Sequence, residues 1–71
     1  TICYEIIRAI QKEIAESLSK TITVSAHPEV ASLIVGEEQD QIEELEKRYD
    51  RRIIIEQNDQ FHQEQYEIKS S

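Results

Sequence analysis

The sequence predicts a small α+β domain with the element order α-β-α-α-β-β and a three-stranded sheet packed with helices. Three stretches carry that prediction. Apolar residues recur at three- and four-residue spacing from Ile2 to Leu18, apolar and polar residues alternate from Thr21 to Ala26, and three isoleucines follow one another at positions 53 to 55. The first spacing belongs to a helix buried along one face, the second to a half-buried strand. The third puts Ile53 and Ile55 on one side of a strand and Ile54 on the other. A run apolar on both faces calls for cover on both, so Arg52 to Gln57 is expected to be the central strand.

In order along the chain, Ile2, Cys3, Ile6, Ile7, Ile10, Ile14 and Leu18 line the first helix, opposite Arg8, Lys12, Glu13 and Glu16. Ser17, Ser19 and Lys20 end it. In the strand Thr21 to Ala26, Ile22, Val24 and Ala26 face one way and Thr21, Thr23 and Ser25 the other. His27-Pro28-Glu29 starts a short helix, because proline at the first helical position sacrifices no intrahelical bond and an early acid suits the helix dipole. Val30, Leu33 and Ile34 are expected inward, with Gly36 just past the C-terminus. A third helix from Glu37 to Tyr49 carries Ile42, Leu45 and Tyr49 on one stripe, with its acids early and Lys47 and Arg48 late. Asp50 stops it in a left-handed conformation. After the isoleucine strand, Asn58-Asp59-Gln60 makes a turn, Gln65 to Lys69 alternates as a last strand, and Ser70-Ser71 is expected to fray.

Composition narrows the function. A chain of 71 residues forms one domain spanning positions 1 to 71, and at that size it buries only about 60 to 65% of its unfolded surface. It starts at Thr1 without a methionine, directly on a helical pattern, which suggests a fragment of a longer protein. The net charge of −7, from 15 acids against 8 bases, opposes general electrostatic binding of nucleic acid. One cysteine excludes an internal disulfide and, with no Cys-x-x-Cys, offers no zinc site, which fits an intracellular setting. No apolar run reaches the ~20 residues of a membrane span, and the N-terminus is not a signal peptide.

Candidate sites are few. His27 and His62 have no metal-ligand spacing to each other or to Cys3. Glu37, Glu38, Asp40, Glu43, Glu44 and Glu46 form an acidic run that is a solvated helix face rather than a two-metal centre. Cys3 falls on the apolar side of its helix, as a small buried hydrophobe rather than a nucleophile. No catalytic residue and no metal ligand is assigned. Lys47, Arg48, Arg51 and Arg52 are the one basic concentration. A helix C-terminus accounts for the first two, so Arg51 and Arg52, with Arg48, are candidates for an RNA phosphate or a subunit carboxylate. The element order is similar to that of KH-like RNA binders, but those clamp the backbone with a G-x-x-G loop, and here Gly36 is alone beside Glu37 and Glu38.

Three segments carry a closer resemblance: Thr1-Ile2-Cys3-Tyr4-Glu5-Ile6-Ile7-Arg8, Val24-Ser25-Ala26-His27-Pro28-Glu29-Val30, and Phe61-His62-Gln63-Glu64-Gln65-Tyr66-Glu67-Ile68. Together they resemble the C-terminal small domain of the ribonuclease E/G family, nearer the ribonuclease G form. The resemblance implies a cytoplasmic, bacterial-type endoribonuclease that cuts single-stranded RNA, processing ribosomal RNA precursors and turning over messenger RNA. It implies magnesium and zinc for the parent enzyme and no cofactor for this fragment, which would follow the zinc link, since Cys3 does not match a zinc-link cysteine. The implied partners are the rest of the parent ribonuclease, further copies assembled through it, and RNA bound by it, with no membrane. Asp50 departs from a glycine often found at that point of the family. On this resemblance the fragment is a non-catalytic domain for packing and oligomer assembly. The alternatives are an independent KH-like RNA-binding module using Arg48, Arg51 and Arg52, and an acidic docking module unrelated to RNA.

Overall fold

The computed structural model describes residues 2–71; Thr1, the first residue of the quoted resemblance, lies outside them. The elements are α1 (Ile2–Glu16), β1 (Thr21–Ala26), α2 (Pro28–Glu37), α3 (Gln39–Tyr49), β2 (Arg52–Gln57) and β3 (Tyr66–Ser70), in the expected α-β-α-α-β-β order. The strands form one mixed sheet in the order β2-β1-β3. β2 runs parallel to β1, pairing Ile22 with Ile53 and Val24 with Ile55, and β3 runs antiparallel, pairing Val24 with Ile68.

The central strand is therefore β1, and the triple-isoleucine strand is an edge. Burial explains the difference. Ile22, Val24 and Ala26 are wholly buried and alternate with half-exposed Thr21, Thr23 and Ser25. The core joins them to Ile6, Ile7, Ile10 and Ile14 of α1, Val30 and Ile34 of α2, Ile42 and Leu45 of α3, and Ile53. All of these apolar strand positions share one face, so the helices form a single layer on that side of the sheet. In a two-layer domain a central strand needs only one apolar face. The other face presents Thr21, Thr23, Ser25, Arg52, Ile54, Glu56, Glu67 and Lys69, and Ile54 there is only half-buried.

The remaining departures are local. α1 ends at Glu16, which leaves Leu18 beyond the helix and 93% exposed. In α2 the buried set is Val30, Ala31 and Ile34; Leu33, about 100° round the helix from Ile34, is exposed. Tyr49, in the last turn of α3, lies past the edge of the core and is also exposed. Gly36 lies inside α2 with an ordinary negative φ, and the break falls at Glu38. The Glu38 N–H completes α2 by donating to the Ile34 carbonyl, while its own carbonyl accepts from Ile42 to begin α3. Asp50 does adopt the left-handed conformation, at φ 54° and ψ 50°. The chain end is tied rather than frayed: Ser71 exchanges two backbone hydrogen bonds with Thr21, and the Ser70 hydroxyl donates to the Glu13 carboxylate at 2.7 Å.

Candidate functional site

The basic segment occupies the junction between α3 and β2. Arg51 is half-buried there, and its guanidinium points back into the fold. Nη1 donates to the Ser19 carbonyl at 3.0 Å and Nη2 to the Ile14 carbonyl at 3.4 Å. A helix end leaves its last carbonyls without intrahelical partners and partly negative, so a cation placed there both bonds and neutralises. Arg51 thus ties the end of α1 to the start of β2. Arg48 is exposed on α3 among Asp40, Glu43, Glu44 and Lys47, around a shallow open depression. Arg52 is exposed on the bare sheet face opposite Thr21. The three arginines are neighbours in sequence, but they are set on a helix surface, in an internal brace and on a sheet face.

Glu46, one turn before the end of α3, carries a contact that its place in an acidic run conceals. Its Oε2 accepts from the backbone N–H of Ile53 at 2.9 Å. The Arg52 N–H donates to the Lys20 carbonyl and the Asn58 N–H to the Ala26 carbonyl, so even-numbered positions of β2 bond inward to β1. The peptide groups of the odd-numbered positions therefore point outward, away from β1. Glu46 therefore occupies the first outward-pointing donor of the edge strand. The spacing of Glu46 from the apolar strand was the available signal, since the left-handed Asp50 turns the chain sharply back past the last turn of α3.

Neither histidine gathers other ligands. His27 caps α2, its Nδ1 accepting from the Glu29 N–H at 3.1 Å. His62 lies in the loop before β3, where its N–H donates to the Gln65 side chain at 3.3 Å. The same loop reaches α2 through a hydrogen bond from Gln63 to the Glu29 carboxylate. Cys3 is half-buried against the core. Burial, and then the carboxylates of Glu38 and Glu37, push its thiol above the usual range. That disfavours the thiolate a zinc ligand requires. Among the described residues no group of three His, Cys, Asp or Glu side chains is arranged to hold a metal ion. No helix is long and apolar enough to cross a membrane among these residues.

The family model described as RNase E/G, Thioredoxin-like domain matches residues 1–71. In the structure β1 and β2 form a parallel pair joined through helices, with β3 antiparallel on the other side of β1. With one cysteine, the chain has no counterpart of the Cys-x-x-Cys pair that redox-active thioredoxins use. No curated protein matches the chain. The family match covers every residue, and on it the chain belongs to the ribonuclease E/G family, as its thioredoxin-like domain.

Proposed function

We propose that this domain is a non-catalytic part of a ribonuclease E/G-type endoribonuclease, where it contributes packing and oligomer assembly while other parts of the enzyme bind and cut single-stranded RNA. A position following the zinc link, in a cytoplasmic enzyme that matures ribosomal RNA and degrades messenger RNA, belongs to the same proposal. The observation that carries it is the one-sided architecture. Three helices use one face of the sheet, leaving a second face and the outer edge of β2 as regular surface for a neighbour. Edge strands of this kind are ready-made templates for pairing. Arg51, one of the three candidate RNA contacts, is engaged with main-chain carbonyls of its own domain, which weighs against a phosphate clamp built from the basic junction.

Sedimentation velocity of the 71-residue chain over a concentration series, with and without labelled single-stranded RNA, tests this reading. Self-association without co-sedimenting RNA is the expected result. RNA travelling with a monomer, and released steeply by salt, would replace assembly with RNA binding as the function.

A further inference from the structure

We infer that the outer edge of β2 is a self-pairing surface, at which two copies of this domain join antiparallel about Ile54 into a continuous six-stranded sheet, and that Glu46 guards it. The inference rests on the assembly role above and names its surface and partner. It follows from the order of residues along Arg52-Ile53-Ile54-Ile55-Glu56. Antiparallel pairing centred on Ile54 sets Arg52 of each copy opposite Glu56 of the other, Ile53 opposite Ile55, and Ile54 opposite itself. Opposite charges thus meet at both ends and apolar side chains meet throughout.

The backbone agrees with that register. Antiparallel pairs alternate between residues that exchange both hydrogen bonds and residues that exchange none. Ile53 and Ile55 direct their peptide groups outward, so Ile53 of one copy and Ile55 of the other can exchange two bonds on each side of the twofold. Ile54, Arg52 and Glu56 bond inward to β1 and fall at non-bonded positions, where opposed side chains approach most closely. The arginine–carboxylate pairs therefore sit where they act most strongly. A one-residue shift would set like with unlike on the wrong faces, so the register is specified.

Glu46 opposes the pairing. Its carboxylate already holds the Ile53 N–H at 2.9 Å, and it must swing away before that donor can reach a second copy. Guarding an edge donor with a side chain is a means of limiting indiscriminate strand pairing. Here it makes association reversible, since two of the four new hydrogen bonds replace bonds already made.

The test is sedimentation velocity on the wild-type chain, Glu46→Ala, Arg52→Glu, Glu56→Arg, and an equimolar mixture of the last two. Arg52 and Glu56 are exposed, so neither exchange disturbs the core, and far-ultraviolet circular dichroism verifies folding. Each charge reversal should weaken self-association by roughly tenfold, because two attractive cross-strand pairs become repulsive. The mixture should recover it as a heterodimer, in which every opposed pair is again of opposite sign. Glu46→Ala should tighten association by several-fold, on the order of one to two recovered hydrogen bonds. Self-association that is indifferent to all three substitutions would overturn this surface while leaving an assembly role standing. Monomers at every concentration, Glu46→Ala included, would overturn both.

Discussion

Replacing Arg51 separates bracing from ligand binding more sharply than any other single change. The side chain makes one well-formed charged hydrogen bond, at 3.0 Å to the Ser19 carbonyl, and one long one, at 3.4 Å to Ile14. Hydrogen bonds to charged groups contribute about 1.5–3 kcal/mol when well formed and sheltered, and partial exposure here reduces that. The longer contact exceeds the usual 2.7–3.2 Å span and counts for a fraction. Adding the helix-end interaction of about 0.3–1 kcal/mol gives a loss on the order of 1–2 kcal/mol for Arg51→Ala. A domain of this length has about 4–10 kcal/mol in all, so the loss is readily measured. With a urea m-value near 1 kcal/mol per molar, the unfolding midpoint should fall by about 1–2 M with an unchanged slope. Arg51→Lys should recover part of the shift, since an ammonium can reach one carbonyl but cannot fork to two. A midpoint unchanged in Arg51→Ala would refute the brace and return Arg51 to the list of candidate ligand contacts.

Four further outcomes follow from other parts of the molecule. Asp50→Gly should stabilise the fold by about 0.5–1 kcal/mol in the same urea assay, because it relieves a left-handed non-glycine residue and forfeits only the exposed Lys20–Asp50 ion pair. Gly36→Ala should also stabilise, by about 0.5–1 kcal/mol, since the glycine is helical and nothing lies within 4 Å of the added Cβ. Ile22→Ala, by contrast, removes a wholly buried side chain from the central strand and should cost about 2–5 kcal/mol, enough to abolish a cooperative thermal transition in a domain this small. The Cys3 thiol, raised mainly by burial, should react more slowly with iodoacetamide in the folded chain than after urea unfolding. A raised thiol pKa stabilises the fold fully below the unfolded value and loses that contribution as pH rises from about 8.5 through the folded value, so wild type should lose stability there relative to Cys3→Ser.

The element order was legible because each element carries its own period. Ile2 to Ile14, Thr21 to Ala26 and Tyr66 to Ile68 all repeat at the spacing their conformation requires, and caps at Pro28 and Asp50 punctuate them. Sheet order was not legible from the same signal. Three adjacent isoleucines imply apolar surface on both sides of β2, and a central position is only one way to use it. The 58–65 segment decides the matter by carrying the chain from the end of β2 across β1 to its far side, and its polar composition does not disclose where it leads. Inward and outward residues of α2 were confused for a related reason: Ala31 is too small to stand out in a hydrophobic pattern, while Leu33 stands out yet faces solvent. The brace at Arg51 depends on how the end of α1 meets the α3–β2 junction, and the guard at Glu46 on which strand lies at the edge, for which its spacing from the apolar strand is the one signal in the sequence.

That edge placement gives the isoleucine triplet its meaning. Buried centrally, Ile54 would be one more core residue; at an edge, half-buried on an uncovered face, it is the centre of a short sequence whose charges reverse across it. An isolated strand pair of this length, with one donor already held by Glu46, supplies a weak contact. Weak contacts become effective when the domains that make them are tethered, because attachment to a common assembly raises their mutual concentration to the millimolar range. On the proposed assembly role, a domain tethered within a larger enzyme would need no tight dimer of its own. It needs a surface that closes only when a second copy is presented in register, and a guarded edge strand meets that requirement while leaving the free chain protected from indiscriminate pairing.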